Sequence, residues 1–412
     1  MRKRLKYISF LTGENCKRYD GEKKYFSTGA ISGENDYEYV TFDNKPSRAN
    51  VIVKQNDILI AKMSNTNKTT IADKEMENNI YSTGFAILNS NSLINKYLYY
   101  LLSNYEFNEY KNVYSNGTTQ VAINDLNLMN IKINYMKNKE YQRLVVSILD
   151  KKISTISKVL DKLNNQIEVL KKYKNSLITE TIKYGLKNEK TKIIKNEYIK
   201  QIASSFYITK VKYVCNKITD GAHESPETEN GAWPFLSTVN IVNGKLDFND
   251  CLKTSDESFK RLVKQDCKPI KGDILISKDG TIGKTVYIDF DEDYVVASSL
   301  VILRPIKDII DPRYLKYNLD ADFNQEYLKQ LMTGSALKRV SVEKNANLYI
   351  VLASKKEQEE ISDYLDKKCD EIETLIINKQ LQIEKMEQYK ESLIYEYVTG
   401  KNRVKGAEEL YG

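Results

Sequence analysis

Apolar residues recur along two stretches of this chain in alternating steps of four and three. The first stretch carries Leu149, Ile153, Ile156, Leu160, Leu163, Ile167 and Leu170, the heptad seam of a helix that packs against another helix. The second carries Leu365, Cys369, Ile372, Ile376, Lys379, Ile383 and Met386 at the same places. Neither Pro nor Gly falls between Glu140 and Tyr184, or between Lys355 and Thr399, so each stretch predicts one uninterrupted helix. At 1.5 Å per residue each would reach about 65–70 Å. An apolar seam needs a partner, and a molecule with two matching seams most simply pairs them with each other. Lys174 and Lys390 follow the clean seam in both copies, and Lys379 interrupts the second. Polar residues in a seam fix register at a cost in stability.

The two helices are copies. Leu149-Asp150-Lys151-Lys152 returns as Leu365-Asp366-Lys367-Lys368, and Ser176-Leu177-Ile178 as Ser392-Leu393-Ile394, both at an offset of 216 (365 − 149). Gln166-Ile167-Glu168 and Tyr173-Lys174 repeat at the same offset. The match extends into the intervening chain. Asp57–Lys62 falls on Asp273–Lys278, Tyr97–Tyr100 resembles Tyr314–Tyr317, and Leu5-Lys6-Tyr7 resembles Val211-Lys212-Tyr213. The halves therefore share a fold and differ in their loops. A duplication predicts pseudo-two-fold symmetry and an antiparallel helix pair, a shape suited to a target with two half-sites such as DNA.

Short β-branched and aromatic runs at Asp57–Lys62, Tyr81–Leu88, Trp233–Thr238, Asp273–Ser277, Lys284–Asp289 and Tyr294–Arg304 read as strands. Helical spacing runs through Leu93–Tyr114, and from Asp311-Pro312 to about Thr333, with Gly334 as its stop. The organisation predicted is α+β: a globule at 1–137, a long helix at 138–185, a linker at 186–205, a second globule at 206–353, a second long helix at 354–400 and a tail at 401–412.

Composition narrows the class without deciding it. The 63 basic and 56 acidic residues leave a net charge of +7, which permits nucleic-acid binding without demanding it. Five scattered cysteines contain no CxxC pair, which argues against zinc and a disulfide framework and fits a reducing cytoplasm. No run approaches the roughly 18 apolar residues of a membrane span, and no signal peptide is evident. A soluble cytoplasmic protein without membrane association is expected.

Catalytic patterns are missing. His223 is the one histidine, and no triad assembles around it. Gly280-Thr281-Ile282-Gly283-Lys284-Thr285 resembles a phosphate-binding loop, but the position that must be glycine is Lys278. There is no GxGxxG after a strand and no Asn-Pro-Pro-Tyr-type methyltransferase motif. No catalytic residue, metal site or cofactor site is assigned to this chain.

Two α+β globules, each followed by a helix carrying Leu-Asp-Lys-Lys…Gln-Ile-Glu…Tyr-Lys-x-Ser-Leu-Ile, together with Gly272–Gly280 and Gly334-Ser335, resemble the specificity subunit of type I restriction-modification systems. The resemblance covers nearly the whole chain. It implies that each globule is a target-recognition domain reading half of a split duplex DNA sequence. It implies that the helices space the domains and dock two modification (methyltransferase) subunits, joined by restriction (translocase/nuclease) subunits. S-adenosylmethionine, ATP and Mg would sit on those partners. Little chain precedes the first globule, so the region after Thr399 is expected to complete the helical ring near the N-terminus. Contact with phosphates needs cations, hydroxyls or backbone N–H groups, and base reading needs forked or amide side chains. The loop after the repeated strand offers Lys62, Ser64, Asn65 and Lys68 in one copy, and Lys278, Asp279, Thr281 and Lys284 in the other. The later loops add Gln120, Lys338 and Arg339. Two other readings remain: a coiled-coil scaffold whose globules bind protein, and a stand-alone nuclease or methyltransferase.

Overall fold

The computed structural model describes residues 1–29, 37–115, 121–187, 189–224, 227, 231–332, 339–402 and 404. Two compact units emerge, Met1–Asn164 with Gln380–Gly412 and Asn165–Lys379, so both long helices run from one unit into the other. The helices span Lys139–Tyr184 and Lys355–Thr399, 46 and 45 residues.

In the first unit a four-stranded antiparallel sheet has the order Phe10–Leu11, Phe85–Asn89, Ile58–Ala61, Thr69–Ile71. The second unit builds the same sheet from Cys215–Asp220, Leu300–Pro305, Ile274–Ser277 and Thr285–Tyr287. The central strands are fully buried, as their unbroken apolar runs require. A two-stranded ribbon closes each globule, Arg2–Arg4 with Lys132–Asn134 and Tyr207–Lys210 with Tyr349–Leu352.

Several elements read as continuous are divided. Tyr81–Leu88 holds two strands, Ile80–Ser82 and Phe85–Asn89, which belong to different sheets. The chain crosses at Gly84, where an added Cβ would stand 2.7 Å from Thr28 Cγ2. Tyr294–Arg304 divides in the same way into Val295–Val296 and Leu300–Pro305. Leu93–Tyr114 is two helices, Asn95–Ser103 and Tyr105–Val113. Asn104 stops the first and caps the second by accepting from Phe107 N at 3.0 Å. Asp311 caps Pro312–Asp320, and Ala321 separates that helix from Asp322–Met332. Apolar periodicity runs through such breaks because both short helices bury the same face. Gly334 and Ser335 lie outside the described residues. Within 186–205, Thr191–Ile193 pairs antiparallel with Gln201–Ala203, and Ile199 between them is buried.

The repeated Leu-Asp-Lys-Lys docks globule to helix in both units. Leu149 and Leu365 are fully buried, each removal from water worth about 2 kcal/mol. Beside them, Asp150 accepts from the Tyr100 hydroxyl and pairs with Lys96 at 3.6 Å. Asp366 accepts from the Tyr317 hydroxyl at 2.7 Å and pairs with Arg313 at 2.7 Å. Burial and the adjacent carboxylate hold the Tyr317 hydroxyl protonated well above the usual phenol range.

The helices pair antiparallel. In the first unit the start of one meets the end of the other: Tyr141 OH donates to Tyr397 O at 3.0 Å, and Tyr141, Val145, Leu149 and Ile156 share a core with Leu393, Ile394 and Val398. In the second unit Lys174 pairs with Glu373 at 3.0 Å, and Lys379 donates to Gln166 Oε1 at 2.7 Å. Lys174 and Lys379 thus have polar partners on the opposite helix. Leu149, Ile156, Leu163, Ile167, Leu365, Cys369, Ile372 and Ile376 are buried, while Ile153, Leu160, Leu170, Ile383 and Met386 are half-buried. Among the described residues, no helix is long and apolar enough to cross a membrane.

Candidate nucleic-acid interface

In each unit the structure sets the loop after the repeated strand against the described residues that follow the later loop, 121–123 and 339–340. Strand Ile58–Ala61 delivers Lys62, whose N–H donates to Gly84 O and whose carbonyl accepts from Ile123 N, both at 2.9 Å. Ser64 N donates to Val121 O at 2.8 Å, and Met63 bridges Ala122. The second unit repeats this frame. Val340 N donates to Lys278 O at 3.0 Å, and Asp279 bridges Arg339.

Within that shared frame the side chains differ. In the first unit the loop is pinned from below by the helix Tyr105–Val113. Asn112 Oδ1 accepts from Asn65 N at 2.8 Å, with Asn65 in a left-handed conformation at φ 57°. Lys111 is fully buried, and its ammonium donates to the carbonyls of Ala61, at 3.1 Å, and Thr66. Burial with no carboxylate to balance it pulls the Lys111 pKa down to about 8. Ser64 Oγ lies 3.4 Å from Asn112 Oδ1, Lys62 pairs with Asp125 at 3.3 Å, and Lys68 donates to Gly29 O. Met63, Asn65 and Asn67 are the exposed positions. Exposed amides suit the donor–acceptor pair on an adenine edge.

In the second unit the loop is tighter and its charges are compensated internally. Ser277 Oγ donates to Thr281 O at 2.6 Å and accepts from Lys284 N at 2.8 Å. Gly280 and Gly283 take φ +69° and +86°, and a Cβ on Gly283 would stand 2.8 Å from Gln325 Oε1. That is the reason for the glycines that mimic a phosphate-binding loop. Lys278 is buried and pairs with Asp220 at 3.1 Å and Asp279 at 3.7 Å. Asp279 also holds Arg339 in a two-pronged pair at 2.8 and 3.0 Å, and Asp220 takes His223 at 3.1 Å. Two cations therefore face two carboxylates. Lys284 donates to Ile241 O at 3.0 Å, leaving Gly280 and Thr281 as the exposed tip. Gln120 and Lys338 lie outside the described residues.

Lys111, Asn112, Gln325 and Asp220 were not singled out by sequence. Lys111 carried a usable signal, since it stands four residues after Phe107 on the face that helix buries. Among the described residues there is no cluster that could hold a metal ion.

A frame repeated with different surfaces is what a chain of two recognition modules needs. The family model described as type I restriction modification DNA specificity domain matches residues 10–175 and again 206–385. The chain belongs to that family. It is therefore a type I DNA specificity subunit, which is non-catalytic by itself. It is similar to the type I restriction enzyme MjaVIII specificity subunit of Methanocaldococcus jannaschii, 24% identical over 97% of this chain and 92% of the relative. It is also similar to the type I restriction enzyme EcoBI specificity subunit of Escherichia coli, 23% identical over 53% of this chain and 48% of that one. One solved chain, from work on complex assembly and conformational transition of the type I R-M system, shares the fold. Its TM-score is 0.67 at 16% identity, covering 98% of both chains.

Proposed function

We propose that this specificity subunit reads a split duplex DNA target, one half-site with each unit, and docks two methyltransferase subunits and the restriction subunits of its complex. The observation that carries the reading is the pair of loops held on one backbone frame with unlike tips: Met63, Asn65 and Asn67 in one unit, Gly280 and Thr281 in the other. The partners supply S-adenosylmethionine, ATP and Mg, and the complex works in the cytoplasm. Lys62, Ser64, Asn65, Lys68, Gln120, Lys278, Asp279, Thr281, Lys284, Lys338 and Arg339 remain the candidate contacts. Among them, Lys278 and Arg339 are both paired with Asp279, which also shapes the tip.

Methylome sequencing of a host carrying this chain with its modification partner tests the reading. An interrupted, asymmetric adenine-methylated motif is expected, and replacing 206–353 by the same region of a relative should change one half of it only. A continuous motif, or a change in both halves, would overturn the proposal.

A further inference from the structure

The first unit contains a cavity of about 440 Å³ outside the loops described above. Arg2 and Arg4 stand on one face of their strand, two residues apart, and Lys132 lies directly opposite Arg4 in the ribbon. Like charges opposite each other in a sheet repel. Among the described residues none of the three cations has a carboxylate partner. Arg2 instead donates to the Tyr110 hydroxyl at 3.1 Å and lies 5.9 Å from the centre of that ring. Having accepted that bond, the Tyr110 hydroxyl keeps its own proton to donate. Asn127 and Asn130 complete the polar wall.

The second unit shows that the fold does not require two of these cations, Arg2 and Lys132. Leu5 N donates to Ile131 O as Val211 N does to Leu348 O, which aligns the two ribbons. Arg2 then falls on Ile208 and Lys132 on Tyr349, while Arg4 falls on Lys210, whose ammonium donates to Asn347 Oδ1 at 3.4 Å. There Tyr349 packs against Tyr327 at 5.5 Å and Tyr198 at 6.0 Å, so an aromatic cluster stands where the first unit has an open basic cavity.

We propose that the cavity of Arg2, Arg4, Lys132 and Tyr110 is an oxyanion site for a phosphate group. Guanidinium forks match phosphate oxygens in pairs, and three cations without a carboxylate partner suit the successive singly charged phosphodiesters of a strand better than a lone carboxylate. The favoured source is a phosphodiester of the duplex, an assignment that rests on the proposed DNA reading. The same helix, Tyr105–Val113, presents Tyr110 to the cavity and Asn112 to the loop at Asn65, so a phosphate held here fixes the backbone beside the tip.

The test uses the chain assembled with its modification subunits and compares Arg4→Gln/Lys132→Gln with Arg4→Lys/Lys132→Arg. The neutral pair should weaken duplex binding on every sequence and flatten the slope of log K against log salt by about one for each phosphate no longer neutralised. The methylated motif should stay unchanged, and the charge-keeping pair should restore the slope. If the neutral pair fails to fold, Lys132→Gln alone, at an exposed position, carries the same readout. A second arm titrates inorganic tripolyphosphate. Its binding lost with an unchanged duplex slope keeps the oxyanion site and assigns it to a free phosphate compound. Unchanged slope together with unchanged tripolyphosphate binding overturns the proposal, whether or not subunit assembly weakens. A wild-type complex that shows no salt-dependent duplex binding sinks the DNA reading instead, and leaves the tripolyphosphate arm to judge the cavity.

Discussion

The turn that leads into the repeated buried strand is built twice, with the same carboxylate in different company. Asp57 and Asp273 are both buried, and each accepts at 2.9 Å from the backbone N–H three residues earlier, Lys54 and Ile270. The remaining lone pairs go to a residue of the neighbouring strand. In the first unit this is Asn89, whose amide donates to Asp57 at 2.8 Å. In the second it is Arg304, which grips Asp273 with two bonds at 2.9 and 2.8 Å. The loop after the strand differs in the same sense. Buried Lys111 holds it in one unit, and Gln325 donates to Gly283 O at 3.1 Å in the other. Geometry was kept while charge was exchanged. A backbone frame constrains where donors must stand, and it leaves open whether they are ionic.

The largest expected effect breaks that comparison at its ionic end. Arg304→Ala leaves the buried Asp273 carboxylate with one backbone donor, and removing one member of such a pair costs about 3 kcal/mol or more. Asn89→Ala removes one neutral donor to the Asp57 carboxylate, worth about 2 kcal/mol. It also removes the Oδ1 that accepts from Ser90 N and Asn95 Nδ2, though Ser90 N keeps Asn95 Oδ1 as an acceptor at 3.0 Å. Urea unfolding of the full chain should rank the two variants in that order. Equal midpoint shifts would mean that the second guanidinium bond adds nothing.

That ranking was not legible in the sequence, although much of the fold was. The 216-residue repeat and the heptad seams placed both long helices and their pairing, because a seam reports its partner through spacing alone. Asp150 and Asp366 stood inside the repeated motif, but their tyrosine and cation partners lie about 50 residues earlier in each half and came from no local pattern. Strand runs were found, and their crossing between sheets was not. An apolar run does not say which sheet each half joins, and Gly84 was the lone local sign. The candidate loops were placed by the repeat. Which lysines spend their charge inside, as Lys278 does on Asp220, depends on contacts across the fold.

A smaller effect sharpens the comparison of the two loop pins by pH. Unfolded, Lys111 titrates near the ordinary lysine value of about 10.4, whereas in the fold it titrates at about 8. Between these values the unfolded chain holds more protons, so stability rises with pH, by up to about 1.4 kcal/mol per unit. Burial raises Cys267 to about 11, which acts in the opposite sense as unfolded thiols ionise. The Lys111 contribution is therefore read as the difference between wild type and Lys111→Met. Wild type should gain on that variant from pH 8 to 10, while Gln325→Met, which removes no titrating group, should differ from wild type by a constant amount. A flat Lys111→Met difference across that window would show that the ammonium is not desolvated.

The smallest effect lies in the helix pair. Lys174 and Glu373 meet at 3.0 Å with side chains 31% and 30% exposed, so water screens them and each loses rotamer freedom in pairing. A double-mutant cycle with Lys174→Met and Glu373→Gln should give a coupling of about 0.2–1 kcal/mol, falling as salt is raised. The stems of both residues still cover the seam, so the single variants should remain folded. If the pair acts on register, the double variant should lose antiparallel alignment before it loses helix content. Paired spin labels across the second unit, at Lys171 and Glu371, would report that as a broadened distance distribution with unchanged helicity. A coupling near zero with an unchanged distribution would leave the apolar seam alone in charge of the alignment.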